Sequence, residues 1–181
     1  MTSHQLINQT SGAVEWFTPM EIIEAATACM GFIDLDPATC EKANSEIVGA
    51  RCVFTKHEDG LKRIWTARTV WLNHPFGRKS TPQWIGKLLS EFDSDHFEQA
   101  CTITYASTSE KWFEPLLKFP QCFIHGRTNY IMADTMKPKR GASKGSVVTG
   151  IGVDLDKFYN AFKHLGTVKA CYQRNPHYPN E

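Results

Sequence analysis

The sequence predicts an α/β fold built on a mostly parallel sheet with an antiparallel edge. Short β-branched and aromatic runs alternate with helical patterns through the first two thirds, the signature of parallel strands covered by helices. The last third is richer in strand-like runs and holds a single helical pattern, which supplies the antiparallel edge. The 181 residues, 41% hydrophobic and 22% charged, suit one domain over 15–172, with a loose polar arm at 1–14 and a tail at 173–181.

Thr18-Pro19-Met20-Glu21 reads as a helix start: Thr18 caps, Pro19 takes the first position and Glu21 closes a capping box. Ile22, Ile23, Ala26 and Met30 follow at helical spacing until Gly31. Residues 31–35 look like a strand, Asp36-Pro37 starts a helix to about Val48, and Arg51–Phe54 is a second strand. Thr69–Leu72 is a third strand and runs straight into Asn73-His74-Pro75-Phe76-Gly77. A helix from Thr81-Pro82 carries the stripe Trp84, Ile85, Leu88, Leu89 and Phe92. Cys101–Tyr105 is a strand, and Ser107 with Glu110 opens a helix that Pro115 kinks or splits. Residues 122–125, 128–132 and 146–153 are strand-like, 156–165 is a helix stopped by Gly166, and 167–172 is a last strand. Between 132 and 146 lies a loop with Lys137, Lys139, Arg140 and Lys144.

This composition excludes a disordered chain, a collagen-like repeat and a coiled coil. No apolar run approaches the roughly 20 residues of a bilayer span, and the first residues lack the basic start and apolar stretch of a signal peptide. A cytoplasmic protein without a membrane partner is expected. The six cysteines show neither C-x-x-C pairing nor zinc-finger spacing, which predicts reduced thiols and no metal. Charge is lopsided: residues 1–60 carry three Lys/Arg against nine Asp/Glu, and residues 137–181 carry eight against three. An acidic front and a basic rear suggest two tasks, and charge alone leaves nucleic-acid binding open.

The sharpest motif is Asn73-His74-Pro75-Phe76 at a strand end, where α/β sheets bind ligands. An Asn oxygen and the next backbone carbonyl can both accept hydrogens from one amino group, and an aromatic ring can stack on the base that carries it.

In this setting the sequence resembles the phage-type DNA N-6-adenine methyltransferase family over roughly residues 15–168. The resemblance rests on Glu15-Trp16-Phe17-Thr18-Pro19, on Asp34-Leu35-Asp36-Pro37-Ala38-Thr39 with Ala43-Asn44, and on Glu58-Asp59-Gly60-Leu61 with Trp65. It continues through Val70–Arg78 with Trp84, Ala106-Ser107-Thr108 with Lys111-Trp112-Phe113, Gly126-Arg127 and Gly145-Ser146. It implies a Rossmann-like S-adenosylmethionine-dependent methyltransferase sheet and methyl transfer to adenine N6 in double-stranded DNA after base flipping. Trp16, Thr18, Pro19, Asp34, Asp36 and Asp59 are then expected at the cofactor, with Asn73, His74, Pro75 and Phe76 as the catalytic set. Arg127, Lys137, Lys139, Arg140 and Lys144 are expected to meet DNA, with phosphates favoured over bases. The resemblance further suggests a phage or prophage protein in a bacterial cytoplasm, marking phage DNA against restriction.

Two departures stand out. No G-x-G loop follows the first strand, which leaves the cofactor role open between Asp34 and Asp36. His74 replaces the family's usual proline, keeping the backbone carbonyl but losing the fixed φ. His74 as a general base, a weak or inactive DNA- or cofactor-binding relative, and a same-fold enzyme acting on cytosine N4, RNA or a protein amide are the alternatives. The 181 residues leave little room for a target-recognition domain, so a short or relaxed recognition sequence is expected.

Overall fold

The computed structural model describes residues 16–170; the expected arm and tail lie outside them. A seven-stranded sheet forms the centre. Its first four strands are β2 (Leu35–Asp36), β3 (Cys52–Val53), β4 (Thr69–Leu72) and β5 (Gln99–Tyr105), and the last three are β6 (Gln121–Ile124), β8 (Ser146–Ile151) and β9 (Gly166–Lys169). The spatial order is β3-β2-β4-β5-β8-β6-β9. The first four pair in parallel, whereas β8 runs antiparallel to β5 and β6, and β9 antiparallel to β6. Five strands therefore run one way, and only β8 and β9 oppose them. A separate two-stranded ribbon joins β1 (Trp16–Phe17) to β7 (Ile131–Met132).

Side-chain alternation divides the core. Trp71, Cys101, Ile103, Cys122 and Val148 face helix α1 (Met20–Met30) and helix α4 (Leu155–Phe162). Val70, Leu72, Ala100, Val147 and Ile151 lie on the other face with Trp84, Ile85 and Leu88 of helix α3 (Ser80–Asp93). The period of two along β4 and β5 thus builds two apolar layers on one sheet.

The local signals differ from expectation in several places. Pro19, not Thr18, stands at the cap of α1; its carbonyl accepts from the N–H of Ile22, and the Thr18 hydroxyl makes no capping bond. Asp36-Pro37 does not open a helix: α2 is the single turn Glu41–Ala43, which widens into a π-turn over Asn44–Val48. The Asn44 side chain closes that turn by accepting from the N–H and donating to the carbonyl of Ala50. Residues 107–118 form turns and a 3-10 stretch at Glu114–Lys118, because Pro115 has no N–H to continue an α-helix. Gly166 begins β9 rather than merely ending a helix. Cys29, Cys101 and Cys122 are buried thiols, whereas Cys52 is exposed.

Candidate active site

From β2 the chain passes outward to β3 and returns on the other side of β2 as β4. The connections after β2 and β4 therefore diverge, which makes the carboxyl ends of these two strands the place where an open α/β sheet forms its ligand crevice. Asp36 closes β2 on one side of it and Asn73 follows β4 on the other.

Asp36 is 2% exposed. Its carboxylate accepts the N–H of Ala38 at 3.1 Å, an Asx turn in place of the expected helix cap. Burial pushes its pKa up to about 7, against smaller opposing effects from Ala38 and Thr39. The next residue, Pro37, is touched by the Asp59-Gly60 loop, since a Cβ on Gly60 would lie 2.0 Å from the Pro37 carbonyl oxygen. Only glycine permits that approach. A chain of hydrogen bonds fastens the loop: Trp65 Nε1 donates to the Gly60 carbonyl at 2.8 Å, and Trp65 N–H donates to buried Glu91 at 2.7 Å. Asp59 stands beside this contact with φ 55° and pairs with Lys62 at 2.9 Å.

Across the crevice, Asn73 Nδ2 donates to the Trp16 carbonyl at 3.2 Å. The Trp16 strand continues through Phe17 into Thr18, whose 2%-exposed hydroxyl has no hydrogen-bond partner. His74 is buried; its Nδ1–H donates to the Pro75 carbonyl at 3.1 Å, and Nε2 is left buried without a partner. Burial lowers its pKa to about 4, so the ring is neutral. The Pro75 carbonyl also accepts from Ser80 Oγ at 2.9 Å, and the Gly77 N–H donates to Thr81 Oγ1 at 3.2 Å. These bonds lock the exit of β4 onto the start of α3 and supply restraint where the sequence lacks a second proline. Phe76 is half-buried, with ring centres of Tyr105, His74 and Tyr130 at 4.6, 5.2 and 5.8 Å.

The family model for DNA N-6-adenine-methyltransferase (Dam) matches residues 8–162, most of the chain. The chain belongs to this family. No curated protein matches it.

For this Dam-family chain, the structure sorts the residues singled out by the sequence. Asp36 ends β2 and Asn73 follows the neighbouring strand β4, with His74 and Phe76 directly after it, and the Asn73 bond ties Trp16 to the exit of β4. Asp34 is used elsewhere. It precedes β2, and its carboxylate accepts the N–H of Arg68 at 2.9 Å, ahead of β4 and at the opposite end of these strands. Its neighbour Thr69 fixes the same junction by accepting from Asp34 N–H at 3.0 Å.

The basic loop is not loose. Met132 N–H donates to Lys137, Lys139 N–H to Tyr130 and Ala142 N–H to Thr128, folding residues 137–142 back along 128–132. The β1–β7 pairing then lays this hairpin beside Trp16. Lys139 Nζ lies 5.1 Å from the Trp16 ring centre, and Lys144 Nζ lies 5.9 Å from that of Tyr105. Lys137, Arg140 and Arg127 are exposed. Tyr105 and Tyr130, both against Phe76, escaped the sequence reading; Tyr105 carried a signal, for it ends the predicted strand 101–105 just as Asn73 follows 69–72. Among the described residues no group of His, Cys, Asp and Glu is placed to hold a metal, and no helix is long and apolar enough to cross a membrane.

Proposed function

We propose that this chain is a DNA methyltransferase that moves the methyl group of S-adenosylmethionine to adenine N6 in double-stranded DNA, after flipping the base into the crevice between β2 and β4. The sheet is read as the Rossmann-like sheet of such enzymes. The observation that carries the reading is Asn73 at the exit of β4, whose Nδ2 is tied to the Trp16 carbonyl so that its Oδ1 is the end of the amide left to accept from a substrate.

The residues present fit the cofactor. Asp36 is a buried carboxylate that suits an amino group or ribose hydroxyls, and the unpartnered Thr18 hydroxyl suits a polar group of the methionine part. Pro19 and Trp16 border Thr18, and Asp59 on its Gly60 hinge caps the Asp36 side. When bound, S-adenosylmethionine supplies an electrophilic methyl group on a sulfonium.

The amino group of adenine is a poor nucleophile because its lone pair is delocalised into the ring. Asn73 Oδ1 and the His74 carbonyl accept its two hydrogens and favour a pyramidal nitrogen with its lone pair free. Positioning along the methyl–sulfur axis supplies much of the rate. The His74 ring is read as a spectator rather than the base: it is buried, its Nδ1–H is spent on the Pro75 carbonyl, and burial lowers its pKa. Flipping costs a few kcal/mol, and stacking on Phe76 returns about 1–3 kcal/mol. Arg127 and the lysines and arginine of the hairpin hold phosphates. We place the protein in the bacterial cytoplasm.

Transfer of labelled methyl from S-adenosylmethionine to unmethylated DNA tests this reading. Label in DNA with wild type and its loss with Asn73→Ala support it. A protein that binds cofactor and DNA but transfers nothing would instead be a binding relative.

A further inference from the structure

Tyr105 closes β5 at the same sheet edge at which Asn73 follows β4, since these strands run parallel with Leu72 beside Thr102. Its ring centre is 4.6 Å from that of Phe76, tilted by 51°. The other aromatic neighbour, Tyr130, is buried and its hydroxyl is bonded to Ser146 Oγ at 3.1 Å, so it supports Phe76 from within. Tyr105 is half-buried, and its ring centre lies 5.9 Å from the ammonium of exposed Lys144. A base inserted between Phe76 and Tyr105 would need about 7 Å, two contacts of about 3.5 Å each. The rings therefore form one stepped surface rather than a slot.

We propose, resting on the DNA reading above, that Tyr105 is a second stacking surface that takes the nucleotide adjoining the target base, with Lys144 moving from the ring to the intervening phosphate. An aromatic face paired with a mobile cation is the arrangement that holds unpaired nucleotides: every base offers a π-face, and each phosphate wants one charge. Two nucleotides, not one, are then unstacked at this site, and single-stranded DNA binds to it directly.

The test compares binding of a short single-stranded oligo(dA) with that of an abasic strand of equal length, which keeps the phosphates and lacks the bases. Wild type prefers oligo(dA). Tyr105→Leu, which keeps bulk against Phe76 but offers no π-face, should lose about tenfold of that preference. It should leave abasic binding and the salt slope unchanged, and Tyr105→Phe should restore the preference. Lys144→Ala should weaken both strands and flatten the slope of log K against log salt by about 0.7. Circular dichroism melts verify that each variant is folded. A Tyr105→Leu protein with the wild-type preference overturns this inference alone, as does one whose abasic binding falls equally. A wild type that binds duplex DNA but neither single strand also overturns this inference alone, and one that binds neither duplex nor single strands overturns the DNA reading and this inference with it.

Discussion

The side-chain amide of Asn73 donates to the main-chain carbonyl of Trp16 over 3.2 Å, joining the exit of β4 to the ribbon that carries the basic hairpin. The bond uses one amide hydrogen and leaves the oxygen, which on the proposed reading accepts from the substrate amino group, so the two ends of the side chain would have separate duties. Asn73→Ala should lower methyl transfer at least about a hundredfold, as loss of one preorganised electrostatic contact does, while cofactor affinity changes little. Asn73→Asp should cost similar activity and also stability, because a carboxylate facing the Trp16 carbonyl has no hydrogen to donate. Steady-state rates and urea unfolding of the two variants separate these effects.

His74 occupies the place of a proline, and its side chain substitutes for the missing restraint through the Nδ1–Pro75 bond. His74→Pro should therefore keep activity within a few-fold of wild type. Because burial holds the imidazole near pKa 4, the wild-type rate should show no inflection near pH 6.5 assignable to this residue. Comparing the two pH–rate profiles checks this; an inflection that vanishes in His74→Pro would assign the proton chemistry to His74.

Asp36 and His74 pull stability in opposite directions with pH. His74 is depressed to about 4: its contribution is full above pH 6.5 and is lost as pH falls, since the unfolded chain takes a proton that the native state refuses. Asp36 is raised to about 7: its contribution is full below pH 3.8 and is lost as pH rises, since the unfolded chain releases a proton that the native state keeps. Each slope is about 1.4 kcal/mol per pH unit, and between pH 4 and 6.5 they offset. Relative to wild type, Asp36→Asn should lose stability on acidification across that window, and His74→Pro should lose it on going from pH 4 to 7. Urea titrations at stepped pH read both slopes.

If Asp36 holds the cofactor as proposed, its raised pKa links cofactor binding to protons. Donors brought to the carboxylate favour its ionised form, so binding at pH 7 should release part of a proton and tighten as pH rises through 7. Calorimetry in buffers of different ionisation enthalpy measures that release. Asp36→Ala should weaken S-adenosylmethionine about tenfold or more and abolish the release.

Neutralising Lys137, Lys139 and Arg140 together should weaken binding to all duplex sequences alike and flatten its salt dependence, each lost phosphate contact reducing the slope by about 0.9. Affinity measured from low to moderate salt decides; an unchanged slope would leave the hairpin as surface only.

The parts legible in the sequence are those whose signal is local. Thr69–Leu72 is a dense apolar run, and Asn73-His74-Pro75-Phe76 follows it without a gap, so both strand and motif could be read directly. That the front strands pair in parallel and that antiparallel strands come from the last third followed from the alternation of elements; that β6 shares the direction of the front strands did not. What escaped depends on distance along the chain. The two-residue strand at Trp16 is too short to announce itself, and the strand-like run 128–132 did not disclose its partner, yet their pairing lays the basic hairpin beside Trp16. Asp34 and Asp36 look alike in sequence, but they stand at opposite ends of the short strand β2, so one accepts from Arg68 N–H and the other from Ala38 N–H. Thr18 has the composition of a helix cap, and its hydroxyl is left unpaired because β1 carries the backbone past the first turn of α1.

The central claim is tested most directly by incubating the protein with S-adenosylmethionine and unmethylated duplex DNA, digesting the DNA to nucleosides and identifying the methylated species by mass spectrometry. The account predicts N6-methyladenine with wild type and at least about a hundredfold less with Asn73→Ala. N4-methylcytosine in its place, or no methylated nucleoside from a folded protein that binds both cofactor and DNA, would contradict it.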